Sequence, residues 1–361
     1  MDRQNSITLQ SFTNLLATGA LLRHEGMWTL IEGPFTPVKN ANNPGISVFW
    51  PDFYDLENQP LWQGKRTFLL STQEFKTLCE SYLQSQPLTR PQLAGTSWQE
   101  PKKEDFAVAV EAMLAKIHRG EIHKAVPAVF ARNSQTVNSA DLVQMILHLL
   151  NAPPSLYVYG FWQNGSGVLG ATPEVLFDFS KNVLRTMALA GTAPKSDTQR
   201  TSLLQDPKEM QEHQFVVEDL EKKLSHLGTV TCRGPHILEL PTLFHLKTDI
   251  EVRCDQTPDF YQLTKDLHPT PALGVAPRAV GYRWMAAYPG QEGRRGFGAP
   301  FAFFQQDRAL CLVAIRSLQW DSQESMIGSG CGIVAESELE REWKELFHKR
   351  LSVKKILGLE A

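Results

Sequence analysis

The sequence predicts an α+β fold built on large antiparallel sheets. Two observations carry this reading: long extended segments follow one another with few helices between them, and no period of roughly 33 to 45 residues recurs. The first argues against a doubly wound parallel sheet, whose strands each need a crossover, usually a helix; the second argues against a repeat array. With 361 residues, 42% of them apolar, the chain can bury a large core.

Taken in order, residues 26–50 (MWTLIEGPF, then NNPGISVFW) read as strands broken by turns. A helix follows at about 72–83, opened by a capping box of Ser71 and Glu74. Residues 85–104 are polar and proline-bearing, a surface crossing that Leu93, Trp98 and Phe106 pack against the body. A helix at about 104–118 stops at Gly120, and HKAVPAVFAR then reads as a strand whose Pro127 implies an edge or a bulge. Next come a helix capped near Ser139, with Leu142, Ile146 and Leu149 at turn spacing, and LYVYGFW, which alternates like a half-buried strand. VLGATPEVLFDFS and VLRTMALAGTAP read as strands. A helix starting near Glu209 carries Val216, Leu220, Leu224 and Leu227 on one stripe and stops at Gly228. HILELPTLFHLKTDIEV, GQEGRRGFGAPFAFF, ALCLVAIRSLQW and SMIGSGCGIV read as extended, and a final helix closes the chain.

Composition narrows the function classes. A net charge of -3 without a dense Lys/Arg run gives no footprint for nucleic acid and little for an anionic membrane surface. The five cysteines are odd in number, scattered and without a CxxC pair, which argues against a disulfide framework or a zinc knuckle and for a reducing, cytoplasmic setting. MDRQNSITLQSF lacks the apolar core of a signal segment, and no apolar run is long enough to span a bilayer, so neither export nor membrane insertion is expected. Work on a small molecule is the reading left.

Two carboxylate pairs share one spacing, Glu209/Glu212 and Glu342/Glu345, each in a helical pattern. Residues three apart on a helix face the same way, so each pair offers two oxygen ligands, and two such faces can clamp one hard cation. The bland alternative is a solvated face, the commoner case on spacing alone, with Glu345 and Lys349 as an ordinary i,i+4 pair beside a stripe of Leu339, Trp343, Leu346 and Phe347. Lys124 is either a snorkelling edge charge, as lysines usually are, or a desolvated amine of lowered pKa. Glu174, between two strands, is either a turn carboxylate in water or an acid kept protonated in a pocket. By its surroundings alone His245 reads as a satisfied core histidine. Arg316 sits in an apolar strand and needs an anionic partner, from within the chain or from a ligand. Gly328, Gly330 and Gly332 alternate, as a packing constraint or as a backbone surface that admits a small anion.

In sequence, IHKAVPAVFAR, GATPEVLF, ALAGTAP, DPKEMQEHQFVVEDL, LFHLKT, LHPTPALG, RRGFGAP, VAIRS, GCGIV and EREWKELFHK resemble the chorismate-utilising enzymes: isochorismate synthases, salicylate synthases, the large subunit of anthranilate synthase and aminodeoxychorismate synthase. The resemblance covers about residues 105–357. It implies a single domain, residues 1–361, in which two large antiparallel sheets pack together with helices outside; residues 1–104 would be its N-terminal part and 105–357 the core bearing the site.

The resemblance also implies roles. Glu212 and Glu345 would bind Mg²⁺ directly, with Glu209 and Glu342 acting through water, and the ion would hold the ring carboxylate of chorismate. Arg316 and Lys349 would meet its two carboxylates, helped by backbone N–H groups around Gly330 and Gly332 and by the Gly191 and Thr192 segment, with Phe297 also lining the substrate site. His245 joins Lys124 and Glu174 in the catalytic set. Ala190 stands where aminodeoxychorismate synthases place a nucleophilic lysine, and Lys124 where anthranilate synthases have glutamine, which points to water as nucleophile. Neutral Lys124 would deprotonate water for attack at C2 while protonated Glu174 donates to the departing C4 hydroxyl. Shifting either pKa by three units takes about 4 kcal/mol, so the site has to be nearly dry. The implied activity is a Mg²⁺-dependent isochorismate synthase without a glutaminase subunit. A salicylate synthase is the runner-up, ahead of an anthranilate synthase-like enzyme or a non-catalytic chorismate-binding protein. Three positions depart from the family pattern: Gly290 where a glutamate is frequent, with Glu292 out of register, Cys331 where alanine is usual, and Phe297 where tyrosine is common.

Overall fold

A computed structural model describes residues 7–39, 45–86, 90–195, 202–239 and 243–360. The expectations on MDRQNS at the N-terminus, on the first residues of NNPGISVFW, on 87–89 of the surface crossing and on the link at 240–242 fall outside them.

The N-terminal part contains α1 (Leu9–Ala17), β1 (Gly19–His24), β2 (Met27–Glu32), β3 (Thr36–Val38), β4 (Ser47–Phe49), β5 (Leu61–Gln63), β6 (Arg66–Ser71) and α2 (Thr72–Ser85). Ser71 and Glu74 form the expected capping box on α2. Beyond the crossing, α3 (Lys103–His118) leads to β7 (Lys124–Ala125), β8 (Ala128–Asn133), α4 (Ser139–Leu149), β9 (Tyr157–Gln163), β10 (Ser166–Thr172), β11 (Val175–Ser180) and β12 (Val183–Pro194). Then come α5 (Pro207–Leu224), β13 (Gly228–Glu239), β14 (Leu243–Cys254), α6 (Phe260–Leu267) and β15 (Val275–Ala276). The chain ends with β16 (Pro300–Phe304), β17 (Arg308–Val313), β18 (Ser317–Trp320), β19 (Ser325–Gly330) and α7 (Leu339–Ile356).

Eight strands form one antiparallel sheet in the order β6-β2-β1-β9-β10-β18-β19-β8, and nine form another in the order β13-β14-β12-β11-β17-β16-β4-β5-β3. The expected architecture stands. Between the sheets lies an apolar layer that includes Leu22, Ile31, Tyr159, Phe161, Val175, Phe301 and Leu312, with the Tyr159 and Phe301 rings 4.8 Å apart. Outside the eight-stranded sheet, α1, α2 and α4 bury Phe12, Phe75, Ile146 and Leu149. Outside the other, α5 and α6 bury Val216, Leu220, Leu224, Phe260 and Leu267. Leu93 is fully buried and Trp98 packs against the first of these outer clusters, so the polar crossing is pinned as expected.

Local readings are corrected in several places. LYVYGFW is buried on both faces, because α4 and α1 cover one side and the second sheet the other. Pro127 ends β7 before β8 begins, and β8 is an edge strand. The cap of α4 is Asn138, one residue earlier than Ser139, and α5 begins at Pro207 behind an Asp206 cap. GQEGRRGFG is not extended: it holds a short 3₁₀ turn at Glu292–Arg294. The side chain of Glu292 lies outside the description. Phe347 points to solvent at 47% exposure; the buried face of α7 runs through Glu342, Leu346, Arg350 and Val353 instead.

One topological feature positions the site. VLGATPEVLFDFS and ALCLVAIRSLQW each look continuous in sequence, but each passes from one sheet to the other, β10 to β11 at Pro173–Glu174 and β17 to β18 at Ala314–Arg316. The Val313 N–H donates to the Glu174 carbonyl at 3.1 Å and the Ala171 N–H to the Arg316 carbonyl at 3.2 Å, which locks the two crossings side by side. Arg316 takes a left-handed φ of +56°, sparsely populated for a side chain of this size, to turn between sheets.

Candidate active site

A cleft with about 600 Å³ of empty space, part of it open to solvent, lies where the crossings meet the bulge of β12, the end of β19 and α7. Its lining includes Glu174, Ala190, Gly191, Thr192, Glu212, His245, Phe297, Arg316, Gly330, Gly332 and Lys349, so eleven of the fifteen anticipated residues face one space. The other four, Lys124, Glu209, Glu342 and Glu345, stand behind or beside it. Lys124 is fully buried, its ammonium 3.0 Å from Glu212. Glu345 pairs with Lys349 at 2.5 Å, and that ammonium also donates to the Gly330 carbonyl at 2.8 Å.

Burial overturns the solvated-face, snorkelling and exposed-turn readings, whereas His245 is, as its surroundings suggested, a buried histidine with both ring nitrogens bonded. Glu209 and Glu342 are fully buried and Glu212 nearly so, so neither carboxylate pair makes a solvated face. Lys124 is no edge snorkeller and Glu174 no exposed turn residue. Arg316 makes no ion pair among the described residues; its guanidinium donates to Nε2 of His245 at 3.2 Å, so the internal salt bridge is not there. A guanidinium only donates, so His245 accepts at Nε2, carries its proton on Nδ1 and gives it to the Thr192 hydroxyl at 2.9 Å. Burial, with Arg316 and Lys349 nearby, holds this imidazole far below its ordinary pKa. His245 is thus a neutral ring that aims Arg316.

Two buried titratable groups beside the cleft shift in opposite directions. Burial lowers the Lys124 ammonium against the pull of Glu212, and burial raises Glu174 to about 7 against Lys124, Lys349 and Arg316. Burial also pushes Glu212 upward, but two ammonium neighbours, Lys124 and Lys208, outweigh it and bring that carboxyl to about 2. The partners of the Lys124–Glu212 pair therefore respond unequally. Glu212 has two cations beside it, while Lys124 has one directly paired anion and no water. Burial drops Arg316 to about 10, which leaves it cationic at neutral pH.

The β12 bulge is held from α5. Register slips between Ala190 and Thr192, where Gly191 adopts φ +83°. Glu209 accepts the Thr192 N–H at 2.7 Å, and His213, one turn on, contacts the Ala190 carbonyl at 3.2 Å and the Thr248 hydroxyl at 2.8 Å. The Thr192 amide is therefore engaged by Glu209. A Cβ at Gly332 would lie 2.3 Å from Oε1 of Glu212 and 2.8 Å from Cε of Lys124, so a larger residue there would push the Lys124–Glu212 pair aside. Cys331 is buried in the cleft wall and accommodated, and Phe297 packs edge-on to Phe130 at 5.6 Å. At the Gly290 departure, Arg294 is buried without an ion pair among the described residues and donates to the carbonyls of Val126, Leu273 and Phe297, which ties three cleft segments together.

Sequence reading missed Lys208 and His213. Lys208 is 4% exposed, its ammonium 3.2 Å from Glu209, 3.5 Å from Glu212 and 3.1 Å from Glu342. Its signal was available: Lys208 precedes Glu212 by four residues and so shares its face.

Residues 63–358 match the family model of the chorismate binding enzymes. The chain belongs to that family. Among curated relatives, the vibriobactin-specific isochorismate synthase of Vibrio cholerae is 28% identical over 273 residues, 72% of this chain and 68% of that protein. The salicylate biosynthesis isochorismate synthase of Pseudomonas aeruginosa is 26% identical over 71% of this chain, which spans only 55% of that protein's length. In fold, the menaquinone-specific isochorismate synthase MenF of Escherichia coli superposes with a TM-score of 0.77 at 20% identity, over 99% of this chain and 92% of that one. Anthranilate synthase component I of Streptococcus pneumoniae gives 0.68 at 16% identity, covering 94% and 90%. Among the described residues no helix is long and apolar enough to cross a membrane, and all five cysteines are free.

Proposed function

We propose that the protein is an isochorismate synthase, which binds chorismate in this cleft, adds water at C2 and releases the C4 hydroxyl. The observation that carries the reading is Arg316, a buried guanidinium that lines the cleft and makes no ion pair among the described residues. An uncompensated buried cation is costly, so the site asks for an anionic ligand, and chorismate is a dianion. Beside it stand a buried amine of lowered pKa and a buried carboxyl raised to about 7, the two forms that water activation and hydroxyl departure require.

The sequence of bond changes balances. Lys124 takes a proton from water as the oxygen bonds to C2, the ring double bonds shift, the C4–O bond breaks, and Glu174 gives its proton to the departing hydroxyl, which leaves as water. His245 keeps Arg316 aimed, and the apolar lining, including Phe297, Leu273 and Ile315, excludes bulk water.

The carboxylates fit Mg²⁺ chemically. They are hard oxygen donors, and Oε2 of Glu342 is buried without accepting any hydrogen bond. Among the described residues no three acidic, histidine or cysteine side chains converge as a ready cage, but Mg²⁺ uses one or two protein carboxylates and keeps its waters. In this reading Glu212 and Glu345 hold the ion, and when bound it neutralises and orients the ring carboxylate. The test is to incubate pure protein with chorismate and MgCl₂ and separate the products. Isochorismate is expected; salicylate with pyruvate would make it a salicylate synthase, and no turnover would overturn the proposal.

A further inference from the structure

Lys208 lies on the first turn of α5 and reaches both carboxylate helices: Glu209 and Glu212 on its own, Glu342 on α7. Each of the other nearby cations serves one side. Lys124 meets Glu212, Arg341 meets Glu209 and Asp206, and Lys349 meets Glu345. The carboxylates that would hold a cation are thus already occupied: the Lys208 ammonium stands 3.2 Å from Glu209, 3.5 Å from Glu212 and 3.1 Å from Glu342, and a divalent ion drawn to the same oxygens would meet it there, so a resident cation has to yield.

We propose that Lys208 is that cation: a built-in ammonium that occupies the space between the two carboxylate helices and that a divalent ion displaces. The inference rests on the Mg²⁺ reading above. Three features single Lys208 out. It alone among the four cations has carboxylate partners on both helices. It is a compact point charge on a flexible stem, able to swing away from oxygens that a planar guanidinium would grip as a fork. It is also nearly sealed from water, at 4% exposure, so its hold on the carboxylates is not screened as a surface pair's would be. Metal binding then becomes an exchange of ammonium for metal. The protein without metal keeps α5 and α7 together through Lys208 and Arg341, and its metal affinity is set by the competition for the Lys208 carboxylates.

Calorimetric titration of the full chain with MgCl₂, repeated with Mn²⁺ followed by its electron paramagnetic resonance signal and without chorismate in either case, tests this in three proteins. Lys208→Met is expected to bind either ion ~10-fold more tightly than wild type, the scale of a coupling between two occupants of one site. It is also expected to melt at a lower temperature without metal, because its carboxylates have lost their counter-charge. Lys208→Arg keeps the charge and so the fold, but bridges oxygens more firmly, and is expected to bind more weakly than wild type. A bystander charge would leave Lys208→Arg equal to wild type, and that result overturns the displacement. Equal, measurable affinities in all three proteins overturn the inference and leave the Mg²⁺ reading standing. No binding in any of them brings down the Mg²⁺ reading, and this inference with it.

Discussion

The two helices that bear the paired glutamates are near-copies in spacing and opposites in setting. On α5 both carboxylates are engaged: Glu209 holds the Thr192 amide, Arg341 and Lys208, while Glu212 is paired with Lys124 and approached by Lys208. On α7, Glu342 is buried with Lys208, 3.1 Å from Oε1, as its ion-pair partner and Oε2 without a hydrogen bond, and Glu345 is partly open with Lys349 as its ion-pair partner. The i,i+3 rule decides that two side chains point the same way. What they point at depends on which sheet lies across from them, and α5 lies across the β12 bulge while α7 lies across the end of β19. The α5 pair therefore serves architecture as well as any ligand, and the α7 pair is the freer donor set.

The largest expected effect tests whether the inner members are alike despite this. Glu212→Gln and Glu345→Gln should each abolish Mg²⁺-dependent turnover of chorismate, a loss beyond ~10³-fold, since each removes a direct ligand. Thermal melts without metal should separate them, because only Glu212→Gln deprives two buried lysines of a carboxylate. Full activity in either variant would break the metal assignment. Next, Lys124→Gln should cut isochorismate formation by at least ~10²-fold while calorimetry still detects chorismate, which Arg316 and Lys349 hold. Undiminished turnover would remove the base from Lys124.

Glu174 is the control outside both helices. Its folded pKa of about 7 lies above the ordinary carboxyl value, so between about 4.5 and 7 the folded state keeps a proton that the unfolded chain has released. Stability from this group is full below the unfolded pKa and is lost as pH rises through 7, to the extent of about 3 kcal/mol. Glu174→Gln should accordingly raise the melting temperature at pH 8 and change it little at pH 4, whereas an equal gain at both would deny the raised pKa. In wild type, activity should fall as pH climbs past 7 and the acid ionises.

The smallest effect sharpens the comparison most. Glu209→Ala strands the buried Thr192 amide and should destabilise the fold by about 2 kcal/mol. Glu342→Ala removes one of the three carboxylates around Lys208 and strands no backbone amide, so it should cost less than Glu209→Ala in denaturant titrations. Activity should drop ~10- to 100-fold in both, as expected of groups supporting a metal site. Equal destabilisation would mean that α5 and α7 play the same part after all.

The sequence by itself determined the α+β class, the long strands, most helices to within a few residues, and a set of residues that the fold does draw together around one cleft. These are local patterns: periods of two and 3.6, capping residues, and short motifs in fixed order. It also supplied the solvated-face, exposed-turn and salt-bridge alternatives without the means to reject them, because burial belongs to partners hundreds of residues away. Only the tertiary structure decided that GATPE and VAIRS are crossings between two sheets, which puts Glu174 beside Arg316 and leaves that guanidinium without an ion pair. Only the packing of α5 against the β12 bulge commits Glu209 to the Thr192 amide, and only the approach of α7 to α5 adds Glu342 to the carboxylates around Lys208. A helix fixes directions along its own axis; the desolvation and Coulomb energies that set charge states depend on whatever the rest of the chain brings alongside.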